Sequence, residues 1–205
     1  MQIKTILHKT PNFCAPLENE GDYQHVDAHT QQVIGYLDKR KTDVPFVRTS
    51  DIVNYEIDQY PDFFIPEEIY QDLGQDIKAG DVLFTNDGKI GQVGIVTEYD
   101  KFILQSHIKR IRLNEKAKHL GITPEYLFLS LSIKEVGIYQ AKRYTVIQST
   151  IPTMANNLVK VNIPILDKET IVEITNLVKK AFELKDEKKR LIAEVRETMD
   201  GYFEV

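Results

Sequence analysis

Residues 167–200 read DKETIVEITNLVKKAFELKDEKKRLIAEVRETMD, and this stretch decides the fold. Neither proline nor glycine interrupts it before Gly201, and the Asp167 carboxylate stands where an N-cap is needed. The spacing predicts one helix from Asp167 to about Asp200, roughly 33 residues or about 50 Å at 1.5 Å each. Average globular helices run only about 11–12 residues. Ile174, Leu177, Ala181, Leu184, Leu191 and Val195 follow a 3-4 spacing that Lys188 interrupts. A second line, Ile171, Val178, Phe182, Ile192 and Met199, runs beside the first. Together they make a stripe wider than a bare coiled-coil seam, so the helix should pack against more than one neighbour. A domain of this size cannot bury the whole stripe. The rod is expected to need a partner.

Working outward toward the N-terminus, Ile163-Pro164-Ile165-Leu166 closes the globular part. Thr123-Pro124-Glu125-Tyr126 opens a helix, with a hydroxyl N-cap and proline at the first helical position. Its apolar face should run through Leu127, Leu131 and Val136, and Gly137 should end it. Further back the pattern is β-rich. Val82 to Thr85 reads as a strand, Asn86-Asp87-Gly88-Lys89 as a hairpin-type turn, and Ile90 to Val96 as a second strand broken by Gly91 and Gly94. Phe102-Ile103-Leu104 and Ile108 to Leu113 continue it. Val44 to Arg48 reads as a strand entering a turn at Thr49-Ser50-Asp51, and Pro61 to Tyr70 as a loop and short helix with Pro66 near its start. The first forty residues are polar and irregular, and Lys39 to Lys41 reads as a solvated turn. The expected class is α+β: a β-rich body with short helices over residues 1–163, followed by a long coiled-coil-type helix over 164–205.

The chain has 205 residues, 42% of them hydrophobic and 28% charged, which are globular values with no disorder bias. Its net charge of −5 argues against indiscriminate nucleic-acid binding but leaves room for a local basic face on an acidic body. A single cysteine, Cys14, excludes an internal disulfide and a thiolate-rich zinc site. No secretory leader and no membrane-spanning run is legible, so a soluble cytoplasmic protein is expected.

The run Lys78-Ala79-Gly80-Asp81-Val82-Leu83-Phe84, then Asp87-Gly88-Lys89-Ile90-Gly91-Gln92-Val93-Gly94-Ile95-Val96, resembles the GDxL…GxIG pattern of target-recognition domains in type I restriction-modification specificity subunits. Val146-Ile147-Gln148-Ser149 with Ile151, then Leu158 and Val161 to Leu166, resembles the end of such a domain. The likeness covers roughly residues 44 to 200. It departs from the family at the helix start, where PPLxEQ is replaced by Pro164-Ile165-Leu166-Asp167-Lys168-Glu169-Thr170. It also departs in showing one recognition domain and one helix, where full subunits carry two of each. The resemblance implies a half-subunit-like chain that binds double-stranded DNA as a homodimer, its helices antiparallel. Ile174, Leu177, Val178, Ala181, Leu184, Leu191 and Val195 would form the dimer contact. It further implies a bipartite, two-fold target. The partner would be a DNA adenine methylase subunit using S-adenosylmethionine, with or without a restriction subunit. Two other readings stay open: the recognition portion of a larger methylase or restriction enzyme, and a self-associating interaction module that does not bind DNA.

No catalytic residue, metal site or cofactor is expected in this chain. It has no glycine-rich cofactor loop, no Asn/Asp-Pro-Pro-aromatic motif and no phosphate-binding loop. Asp62, Glu67 and Glu68 lack the lysine in register that a metal nuclease needs, and read as solvated carboxylates. His25 and His29, four apart, read as a surface pair. DNA recognition needs cations for phosphates and side chains for base edges. The candidates are Arg48, Thr49 and Ser50 at a strand end, Lys89 on the glycine turn, Arg110 and Arg112 on one strand face opposite Lys109, and Lys142, Arg143 and Tyr144.

Overall fold

Val82, Leu83, Phe84 and Thr85 are all buried, because the strand they form has a layer on each face. The structure is a computed structural model and describes Ile34, Gly35 and residues 43–148 and 150–203. Cys14, the His25/His29 pair and the Lys39 to Lys41 run lie outside those residues. Strands β1 (Ile34–Gly35), β2 (Val44–Val47), β5 (Phe63–Ile65) and β8 (Ile103–Leu104) form one sheet in the order β1-β5-β2-β8. β3 (Ile52–Val53) and β4 (Glu56–Ile57) make a hairpin whose turn residues Asn54 and Tyr55 sit at φ 53° and 66°. That is the doubly left-handed turn a two-residue hairpin favours. β6 (Val82–Thr85) is the middle of an antiparallel sheet in the order β7-β6-β9, with β7 at Val93–Ile95 and β9 at Ile108–Ile111. β10 (Val146–Gln148) and β11 (Ile151–Thr153) form a separate two-stranded ribbon.

Alternation along β6 divides the interior. Val82 and Phe84 enter the larger core with the helices, while Leu83 points to a second core with Val47, Ile52, Ile57, Phe102 and Leu104. The architecture is therefore α+β, with a continuously apolar strand between two layers.

Helix α1 spans Glu67–Leu73 with Pro66 before it, as the sequence predicts. α2 (Glu115–His119) is capped by Asn114 and is a helix that the sequence pattern does not predict. α3 (Pro124–Ser132) starts on its predicted cap, the Tyr126 N–H donating to Thr123 Oγ1 at 3.1 Å. Its predicted end is corrected. Ile133 is extended (φ −71°, ψ 132°), a π-helical turn Lys134–Ile138 follows, and α4 (Tyr139–Tyr144) continues from it. Gly137 lies inside this turn instead of ending a helix. A Cβ there would stand 1.9 Å from the Leu131 carbonyl oxygen, so glycine is required by backbone approach.

α5 runs Lys168–Phe203, 36 residues, and passes through Gly201. Asp167 caps it, its Oδ1 accepting the Thr170 N–H at 2.9 Å. Ile171, Val178 and Phe182 enter the larger core, where Phe182 meets Phe128 edge-on at 5.1 Å. Each such side chain contributes roughly 1.5–3 kcal/mol. Among the described residues, no helix is long and apolar enough to cross a membrane.

Candidate nucleic-acid interface and pairing surface

The predicted cations separate into two groups. β9 does put Arg110 and Arg112 on one face, but that face is covered by the loop from Gln75 to Asp81. Arg110, 5% exposed along its side chain, donates to the backbone carbonyls of Gln75 at 2.8 Å and Asp76 at 2.6 Å. Arg112 donates from Nε and Nη2 to the two oxygens of Asp81, both at 2.7 Å, and from Nη1 to Asp76 Oδ2 at 2.9 Å. The Asp81 carboxylate also accepts the Lys78 N–H at 2.9 Å, closing the turn that carries Gly80. Hydrogen bonds from Asp81 push the Arg112 guanidinium up, whereas burial pulls Arg110 down. Lys78 and Arg112 hold the Asp76 carboxyl down at about 2. Arg110 is buried and Arg112 half-buried, so the strand face read as a duplex contact is occupied by the protein's own loop.

Arg48 is likewise engaged. It meets Asp51 through Nε at 3.1 Å and Asp62 through Nη2 at 2.7 Å, and lies 4.5 Å over the Phe63 ring. Ser50 Oγ donates to Asp51 at 2.8 Å, so Arg48, Thr49 and Ser50 build a capped turn, Thr49–Asp51, around that acid. Asp62 and Glu67, set apart in the sequence as nuclease-like, are paired separately, Glu67 with Lys101 at 2.6 Å. Among the described residues, no group of three His, Cys, Asp or Glu side chains could hold a metal ion.

Lys89, Lys142 and Arg143 are exposed, and the turn and helix end that carry them are joined through the β10–β11 ribbon. Lys89 rides on the turn after β6, where Gly88 and Gly91 have φ 67° and 91°. That turn is stitched to β11: the Gly88 N–H donates to the Pro152 carbonyl at 2.9 Å, and the Met154 N–H to the Asn86 carbonyl at 3.0 Å. β11 pairs with β10, which follows directly on α4, whose last turn carries Lys142 and Arg143. Tyr144 ends α4, its ring 6.0 Å from the Arg143 guanidinium. Beside the turn, His107 Nδ1 lies 2.9 Å from Asp87 Oδ2. Burial pushes the Asp87 carboxyl up, but hydrogen bonds and charge from His107, Thr153 and Lys109 outweigh it and hold it low. The ribbon itself leaves Val146, Ile147 and Ile151 exposed, Ile147 by 79%. The sequence reading singled out this run as the end of a recognition domain but did not anticipate its exposed apolar face. A two-stranded ribbon has the width that a major groove admits.

The long helix presents a different surface. Leu177, Ala181, Leu184, Leu191 and Val195 are exposed, Leu177 by 64%, Leu184 by 59% and Val195 by 61%. Tyr202 extends this line in step. Two of the predicted pairing residues are corrected: Val178 is buried in the molecule's own core, and Ile174 packs partly against it. Over the first half of the helix the second line turns inward along Ile171, Val178 and Phe182, while its later members Ile192 and Met199 are exposed beside the line that faces solvent.

The profile of the family described as the type I restriction modification DNA specificity domain matches residues 21–194. The match takes in most of the chain, and the protein belongs to that family. A comparison with curated proteins returned no match.

Proposed function

We propose that this chain is the non-catalytic DNA-recognition subunit of a type I-like restriction-modification system, acting in the cytoplasm as a homodimer. It directs a partner adenine methylase, which supplies the S-adenosylmethionine chemistry, to a bipartite target; a restriction subunit joins where the system also cleaves. Membership of the specificity-domain family supports DNA recognition. The observation that carries the rest is the exposed line Leu177, Ala181, Leu184, Leu191 and Val195 on the side of α5 turned away from the body.

A helix of 36 residues is about 54 Å long. Antiparallel pairing along the exposed line buries those leucines and carries one recognition body at each end of the rod. A two-fold pair then asks for two-fold half-sites on the duplex. The surface made by Lys89, the β10–β11 ribbon and the end of α4 meets the DNA, its cations on phosphates and its ribbon in the groove.

Light scattering on the purified chain tests the pairing: a mass of twice 23.7 kDa is expected, and a folded monomer at high concentration overturns it. Methylome sequencing of cells with and without the chain tests the rest. A bipartite adenine-methylation motif that disappears with the chain is expected. An unchanged methylome overturns the reading.

A further inference from the structure

The two halves of α5 are held to the body by different forces. From Ile171 to Phe182 the contact is mainly apolar, with one hydrogen bond between the Thr123 and Thr175 hydroxyls at 2.8 Å, and it anchors this half of the helix against the body. From Lys185 onward the contact is polar and directional. Lys189, 8% exposed, donates to Asp100 Oδ1 at 2.7 Å, and the Asp100 side chain is 0% exposed. Asp100 is itself fixed by the Thr97 N–H at 2.8 Å and by Gln59 Nε2 at 2.9 Å. Asp186 accepts from Thr97 Oγ1 at 3.0 Å. Glu56, on the β3–β4 hairpin, takes Lys188 at 2.6 Å and Lys185 at 3.0 Å, and Lys185 also donates to the Asn54 carbonyl at 2.6 Å. Arg196 stacks 3.7 Å from the centre of the Tyr60 ring. Beside these contacts runs an open cleft of about 670 Å³ between helix and body, lined by Val53, Tyr60, Ile192 and Arg196 among others. Close packing does not set the angle there. The hydrogen bonds do.

We propose that this polar clamp, centred on Lys189 and Asp100, sets the angle between recognition body and helix and so selects the half-site separation that the paired molecule accepts. The inference rests on the functional reading above and assigns a role to Lys189 and Asp100, which lie off both the candidate DNA surface and the exposed pairing line. A body of this size has a radius of gyration of about 15 Å and hence a diameter near about 40 Å, which puts its far face roughly 40 Å from the helix axis. Rocking the body by about 5° moves that face by about 3.5 Å, the rise of one base pair. The clamp residues are positioning residues: helix length sets the coarse separation, and the clamp sets it to the base pair.

Methylome sequencing in cells carrying the native system, with the wild-type chain, Lys189→Met or Glu56→Ala, tests this. Glu56→Ala removes only the outer part of the clamp, leaves the helix surface unchanged and keeps the test valid if Lys189→Met does not fold. Half-site sequences should stay as in the wild type, while discrimination against spacers one base pair longer or shorter falls by roughly tenfold. Lys189→Arg, which keeps the charge contact, should retain the wild-type spacing. Loss of stability alone lowers methylation at every site without broadening the spacer. A single unchanged spacing in folded Lys189→Met, or in Glu56→Ala where Lys189→Met does not fold, overturns the clamp and leaves the functional reading standing. A wild-type chain that directs no bipartite motif overturns both.

Discussion

Arg112 grips Asp81 with two parallel hydrogen bonds, Nε to Oδ1 and Nη2 to Oδ2, each 2.7 Å long. Asp81 is 1% exposed, so the pair is a buried anchor between β9 and the turn before β6. Removing Asp81 leaves the half-buried Arg112 with only its Asp76 contacts. Asp81→Asn is expected to lower stability by about 1–3 kcal/mol in urea denaturation. Arg112→Gln should lower stability too, yet leave the affinity of the folded fraction for duplex DNA unchanged. Reduced affinity with wild-type stability would return Arg112 to the DNA face.

Lys89, Lys142 and Arg143 should behave in the opposite way. They are exposed, and exposed substitutions normally shift stability by no more than about 0.5 kcal/mol. For every phosphate that a cation no longer neutralises, the slope of log affinity against log salt falls in magnitude by about 0.9. The triple change to glutamine should therefore flatten the salt dependence of duplex binding, read by fluorescence anisotropy, with the melting temperature unchanged. An unaltered slope places the interface elsewhere.

The pairing line is open to a direct test, because its residues contribute little to the fold of one chain. Leu184→Asp with Leu191→Asp should give a monomer of native helicity by light scattering and circular dichroism. Ala181→Leu adds apolar area on the same line and should tighten the dimer by about fiftyfold or more, at roughly 0.8 kcal/mol for each of the three carbons added. A dimer that survives the aspartates pairs through another face.

Two acids give stability opposite dependences on pH. Lys78 and Arg112 lower Asp76 from 3.8 to about 2. Its contribution is fully present above about pH 4 and is lost as pH falls toward 2, so Asp76→Asn should flatten the acid limb of a thermal-melt series. Asp186 is raised, first by burial and then by the neighbouring Asp100 charge, against which Thr97 and Lys189 pull. The folded state holds its proton more tightly than the unfolded chain, so its ionised form is a cost at neutral pH that shrinks on acidification. Asp186→Asn should therefore raise the melting temperature at pH 7 and have less effect near pH 4. A lower melting temperature at pH 7 would show that its attraction to Lys189 outweighs burial.

Gly137→Ala should be among the most damaging single changes. The added methyl would meet backbone, and the Leu131 carbonyl cannot swing aside as a side chain can. We expect a loss of about 3 kcal/mol or more, or no folded protein, against about 0.5 kcal/mol or less for Gly201→Ala, which has open space.

What the sequence showed well was set by near neighbours. The Asp167 cap acts on Thr170, the Thr123 cap on Tyr126, and β6 announces its two covered faces by an unbroken apolar run. The Gly137 reading failed because a glycine that avoids a clash looks, in one dimension, like one that ends a helix. Asn114 capping the short α2 offered only one polar residue as its signal.

By itself the sequence determined a rod of about ten turns behind a β-rich body, with two apolar lines, and it identified the family that the profile match shows. Those properties depend on contacts three or four residues apart, or on turn residues in order. Only the tertiary structure decided that Val178 faces inward and Leu177 outward, and that Arg110 and Arg112 are held by the loop from Gln75 to Asp81 while Lys89 faces solvent. Each of those outcomes depends on what covers a face, and the covering groups come from far along the chain: Asp81 lies 31 residues from Arg112, and Asp100 lies 89 from Lys189. A periodic pattern states that a face is apolar or charged; it cannot state which distant segment will be folded against it.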